Sequence, residues 1–87
     1  MKELKWDPSK DEWLKRTRGT SFEDMVQAAL LGIGRHPTRP NQQLMYFLYQ
    51  DYVWLVFFVE GPDSYFLKTL YRSRKHTARY KAGEPWL

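Results

Sequence analysis

Residues 52–60 read YVWLVFFVE, with eight consecutive aromatic or aliphatic residues before the first charge. A strand with one wet face alternates apolar and polar residues, and this run does not. It therefore suits the centre of a sheet covered on both sides. Runs of similar character lie on either side, QLMYFLYQ at 43–50 and SYFLKTLYR at 64–72, separated by the turn chemistry of QDY and EGPDS. Dense β-branched and aromatic residues between turn signals predict three consecutive antiparallel strands. The third alternates imperfectly. It is expected to place Phe66, Lys68, Leu70 and Arg72 on one face and Tyr65, Leu67, Thr69 and Tyr71 on the other.

The first half of the chain is helical in pattern. Residues 4–6 suit a short edge strand. WDPSKDEWLKRTRG then carries a capping Asp7, Pro8 at the first helical position, early acids, late bases and Gly19 as a stop. TSFEDMVQAALLG predicts a second helix, capped by Ser21 and ended by Gly32. Phe22, Met25, Val26, Ala29 and Leu30 form its apolar stripe. IGRHPTRPNQ is expected to be a loop, because Pro37 and Pro40 push the residues before them into extended conformations. The fold class is α+β: two N-terminal helices packed on a small antiparallel sheet, with a short basic C-terminal helix.

At 87 residues, the chain is expected to form one domain over 1–87. It has no cysteine, so neither disulfides nor thiolate metal sites contribute, and four Trp, five Phe and six Tyr must supply the core. No apolar run reaches the roughly 20 residues of a membrane span and no signal segment opens the chain, so a cytoplasmic location without membrane attachment is expected.

Charge is sorted along the chain. Residues 68–81 hold six Lys or Arg and no acid, and Arg35 and Arg39 stand in a second acid-free stretch. These stretches carry +8 while the remainder sums to −4. Such sorting implies an anionic partner: nucleic acid, an acidic protein or a membrane surface.

The densest part is RSRKHTARYK, residues 72–81. Ser73 suits an N-cap and Gly83 a stop. Arg74 and Lys75 would then stand in the first turn, where each cation opposes the helix dipole by about 0.3–1 kcal/mol. An anion at that end would remove the conflict. The alternative is a solvated basic tail, but the adjoining aromatic strand, with Lys68 and Arg72, favours the anion site. Among the tyrosines, Tyr71 and Tyr80 are the best placed to stack on splayed bases. His36 and His76 are both candidates for general acid–base work, and basic neighbours would lower their pKa. Two histidines 40 positions apart, with no acid between Asp63 and Glu84, make no metal-ligand cluster, and no cofactor motif is present.

The segment KWDPSKDEWLKRTRGTSFEDMV resembles the N-terminal signature of the BrnT-type toxins, Trp-Asp-Pro-x-Lys followed by a helix and Arg-Gly-x-Ser-Phe-Glu. Trp6, Asp7, Pro8, Lys10, Arg18, Gly19, Ser21, Phe22 and Glu23 carry it. LYRSRKHTARY is similar to the family's closing motif, a strand leading into Ser-Ala-Arg-Arg-Ala and a basic helix. Arg72 stands in place of its serine and His76 in place of its last alanine.

The resemblance implies a RelE-like ribonuclease fold and metal-independent RNA cleavage that halts translation. It also implies a neutralising antitoxin of the ribbon-helix-helix, BrnA-like kind, through which the complex binds operator DNA. Arg74 and Lys75 match the family's arginine pair, so Arg74 is the first choice for transition-state stabilisation. Arg72 and Lys68 would bind the scissile phosphate, with His36, His76 or Tyr71 as proton carrier. Lys75, Arg79, Tyr80, Lys81, Arg35 and Arg39 would bind RNA. The competing expectations are a non-catalytic nucleic-acid-binding or protein-interaction module of the same fold, or a basic surface that only docks the antitoxin.

Overall fold

The apolar run at 52–60 lies at the middle of a five-stranded sheet. The computed structural model describes residues 2–35, 38–39 and 42–84. Along the chain these form β1 (Glu3–Trp6), α1 (Pro8–Arg18), α2 (Phe22–Val26), β2 (Ala29–Arg35), β3 (Gln43–Tyr49), β4 (Tyr52–Glu60), β5 (Ser64–Arg72) and α3 (Arg74–Lys81). The strand order is β1-β5-β4-β3-β2. The sheet is mixed: the three expected strands form the antiparallel meander, but β1 pairs with β5 in parallel.

The α1–α2 corner explains why its sequence looks like a signature. Asp7 caps α1 by accepting from the Ser9 N–H at 2.9 Å, and Gly19 closes the helix at φ 74°. That left-handed conformation is one that glycine adopts without Cβ strain. Ser21 and Asp24 form a reciprocal capping box on α2, and Asp24 also accepts from Lys15 at 2.8 Å. Asp11 accepts from the Phe22 N–H at 2.6 Å, tying the two helices together. Leu14, Phe22 and Met25 are thereby fully buried against Trp54, Val56, Phe58, Leu67 and Leu70. Each contributes about 2 kcal/mol of apolar burial. The motif residues thus build the fold.

Two expectations about local structure are corrected. The second helix ends at Val26, and the segment read as its continuation, Ala29 and Leu30 included, begins β2. Leu30 is exposed, so it takes no part in a helical core stripe. β3 is apolar on both faces, and without β2 its outer row of backbone groups would be left unpaired. Pairing that edge outweighs the modest helix preference of an Ala-Leu run interrupted by Gly32 and Gly34. Part of the expected 33–42 loop, through Arg35, belongs to this strand as well.

The second correction concerns β5. Phe57 pairs with Thr69 but Phe58 pairs with Leu67, so Lys68 is an extra residue in a β-bulge. Leu67, Leu70 and Arg72 consequently share the face of Phe58, Val56 and Trp54, while Thr69 and Tyr71 share the face of Phe57 and Leu55. The bulge shifts the alternation, and Lys68 and Arg72 do not stand together as expected.

The α1–α2 layer covers one face of the sheet. On the other, Leu44, Tyr46, Val53 and Leu55 make a smaller cluster on which Leu31 and Phe57 pack. Among the described residues only α3 crosses this second face, and it does so near the start of β4.

Candidate functional site

Helix α3 is held to β4 by one residue's backbone. The Ser73 N–H donates to the Val53 carbonyl at 3.0 Å, and the Val53 N–H donates to Thr77 Oγ1 at 2.8 Å. The Thr77 hydroxyl in turn donates to the Ser73 carbonyl at 2.6 Å. Both side chains are buried, so the first turn of the helix is fixed against the sheet. Ser73 also caps the helix, accepting from the His76 N–H at 3.1 Å, and its Oγ lies 2.6 Å from His76 Nδ1.

This anchoring turns Lys75 and His76 over the second sheet face. There they line a cleft of 460 Å³ with Arg35, Tyr46, Phe57 and Tyr71. The His76 and Tyr46 rings lie 5.4 Å apart between centroids, and Tyr71 meets Phe57 edge-on at 5.4 Å. Gly34 lets Tyr46 reach this position: a Cβ there would stand 3.2 Å from the ring and 3.3 Å from its hydroxyl oxygen.

The electrostatics follow from burial and cations. Burial pushes the His76 pKa below its ordinary 6.5, and the charges of Lys75 and Arg79 push it the same way. The ring is therefore neutral at neutral pH and able to accept a proton. Burial, with a smaller contribution from Tyr71, raises the Tyr46 hydroxyl above 10, which keeps its proton available for donation. Among the described residues no carboxylate lines the cleft. Together these groups can place a neutral base, a hydroxyl donor and two cations around one phosphate.

Among the expected residues, Arg35, Tyr71, Lys75 and His76 are brought together. Arg74, the first choice for charge stabilisation, is exposed at the start of α3 and does not line this cleft. Arg72 lies towards the other face, its guanidinium 5.1 Å from the Tyr52 ring centroid and 5.9 Å from that of Trp54. Lys68 and Arg39 line an adjoining depression beyond Phe57. Arg79 is half-buried and Tyr80 exposed on α3, while Lys81 pairs with Asp51 at 2.8 Å, where it braces the β3–β4 turn. His36 lies outside the described residues.

Two site residues escaped the sequence reading in these roles. Tyr46 stands within the apolar run at 43–50, where nothing distinguishes it from core, and Ser73 has only the pattern of a cap. An N-cap serine three residues before a histidine is a local signal for the Ser73–His76 contact. The position of Tyr46 depends on β2, whose pairing the sequence pattern did not indicate. Among the described residues no group of three or more His, Cys, Asp or Glu is placed to hold a metal ion, and no helix is long and apolar enough to cross a membrane.

No protein-family model matches the chain. No curated protein matches it in sequence. Among solved structures, it matches the 1.1 Å crystal structure of the ribonuclease toxin BrnT from Brucella abortus. The two share 15% identity at a TM-score of 0.56, over 84% of this chain and 97% of BrnT. At that identity the likeness is one of architecture: the chain has the fold of BrnT-type toxins, in agreement with its N-terminal signature.

Proposed function

We propose that this chain is a metal-independent endoribonuclease and the toxin of a toxin–antitoxin pair. The reading is carried by one observation: His76, engaged by Ser73 at Nδ1, shares a cleft with Arg35, Lys75 and Tyr46, and no carboxylate lines it among the described residues. The shared architecture with a ribonuclease toxin supports it.

In the proposed reaction the ribose 2′-oxygen attacks the adjacent phosphorus while His76 takes its proton through Nε2. The bond to the 5′-oxygen breaks, leaving a 2′,3′-cyclic phosphate and a free 5′-hydroxyl. Tyr46 donates the proton to that departing oxygen; even with a raised pKa, a phenol is a far stronger acid than the alcohol it forms. Arg35 and Lys75 stabilise the charge that builds on the phosphorane oxygens, and Tyr71 offers a ring against which a base can stack. Arg74 and Arg79, on α3 but outside the cleft lining, contribute to RNA binding. A ribbon-helix-helix antitoxin would neutralise the enzyme and carry the complex to operator DNA, with both acting in the cytoplasm and translation as the process inhibited.

The test is cleavage of RNA by purified protein in the presence of a chelator, with product ends identified. Native protein is expected to leave cyclic phosphate ends, and His76→Ala to lose about 100- to 10,000-fold in rate, the range for a general acid–base group. It should still bind an uncleavable all-deoxy strand. Intact RNA and unimpaired cell growth on expression without antitoxin would refute the reading.

A further inference from the structure

Beyond Phe57 the cleft continues into a second depression of similar size, 450 Å³, lined by Phe57, Lys68, Thr69, Arg39 and Gln42 among others. The β5 bulge builds it. In a regular strand Lys68 and Thr69 would point to opposite faces; the extra residue lets both line the Phe57 side while Leu67 and Leu70 remain in the core. A bulge that turns a lysine out beside a candidate site is a device for aiming a charge. The Lys68 ammonium is supported 5.1 Å from the centroid of the Phe66 ring.

We propose that this depression is a second nucleotide subsite, holding the phosphate next to the scissile one, so that the substrate is an unpaired strand that crosses Phe57. The inference rests on the ribonuclease reading of the His76 cleft and adds the form of its substrate. From the Leu55–Tyr71 pair to the Phe57–Thr69 pair the strands advance two residues, about 7 Å, a step one extended nucleotide can bridge. The ridge between the subsites is Phe57 with Tyr71 edge-on, and Tyr71 is 40% exposed. Such ring surface is open to splayed bases and not to bases stacked within a duplex. Cations line both depressions, and among the described residues carboxylates line neither.

The experiment compares native protein with Lys68→Ala and Lys68→Arg, on RNA strands lengthened one nucleotide at a time from either side of a single cleavable step. All-deoxy strands of the same lengths measure binding. For native protein, kcat/KM should rise on extension at one end only, through KM. Lys68→Ala should bring the ratio of long to short substrates close to one, and Lys68→Arg should restore it. Binding of the long deoxy strand to Lys68→Ala should lose about 0.7 from the slope of log affinity against log salt, the value for one phosphate contact on a single strand. No gain with length in native protein, or a full gain in Lys68→Ala, overturns the subsite. If native protein cuts no RNA, the ribonuclease reading fails and the deoxy strands still decide: Lys68-dependent gain in affinity with length supports the subsite, and length-independent affinity removes it.

Discussion

A histidine half-buried between two cations on its own helix is kept neutral, and His76 has that surrounding. Burial is the larger cause and the charges of Lys75 and Arg79 add to it, so its pKa lies below 6.5. If the neutral ring is the base, cleavage must fall as acid protonates it, with the midpoint of that limb below pH 6.5. Replacing Lys75 with Gln removes one opposing charge, so the limb should move upward in pH even as the maximal rate declines. A pH profile of kcat/KM for both proteins reads this directly; an unmoved or lowered midpoint would remove His76 from the base role. Stability shifts in the same sense. The unfolded chain binds this proton more readily than the folded one, so what His76 contributes at neutral pH is lost as pH falls through the window below 6.5. The sequence brought His76 and Lys75 into view by charge context, by the acid–base chemistry of histidine and, for Lys75, by its match to the family's arginine pair. Their opposite fates from Arg72 and Arg74 depend on which way each side chain turns, which no residue-by-residue pattern contains.

The elements divide according to how local their causes are. Helix α1 and the meander were legible because caps, turn residues and apolar runs act over a few positions. β2 was not, because the cause of its strand state is the unpaired edge of β3, which local propensity does not contain. The bulge at Lys68 was hidden likewise, announced only by the imperfect alternation of SYFLKTLYR. Helix α3 illustrates both kinds of cause. Ser73 and Gly83 mark its ends locally, yet its position depends on Val53, more than twenty residues earlier. Replacing Thr77 with Val keeps the shape but leaves the Val53 N–H buried without its acceptor, a loss of about 1–3 kcal/mol. Urea denaturation should report that loss, and Thr77→Ser should recover most of it. A change within about 0.5 kcal/mol, the ordinary range for surface substitutions, would mean that α3 is held by other contacts.

Across the whole molecule, the two faces of the sheet differ in charge balance. Lys10, Lys15, Arg16, Arg18 and Arg72 offset the acids on the α1–α2 side, while among the described residues the charged groups that line the depressions opposite are all cations. Asp7, Asp11, Glu12, Glu23 and Asp24 lie on or beside α1 and α2, which pack against the Trp54–Val56–Phe58 face. Arg35, Lys75, Arg39 and Lys68 line the depressions of the opposite face. The sequence showed the cations gathered only along the chain, with the two acid-free stretches 29 residues apart at their nearest cations, Arg39 and Lys68. The fold brings Arg35 and Arg39 from one stretch and Lys68 and Lys75 from the other to one surface, and turns Arg72 away from it. If that surface holds a single strand, each neutralised phosphate releases part of a counterion, at roughly 0.7 per contact in the slope of log affinity against log salt. Four contacts predict a slope of about −3 for an uncleavable deoxy strand. Charge reversal of Arg16, exposed on α1 behind the sheet, should leave that slope unchanged, whereas Arg35→Ala should flatten it by about 0.7. A slope near zero, or equal sensitivity to Arg16 and Arg35, would assign the basic face to a protein partner. The measurement separates the two because counterion release scales with phosphates held, while a folded partner's carboxylates act as a few discrete, screened pairs.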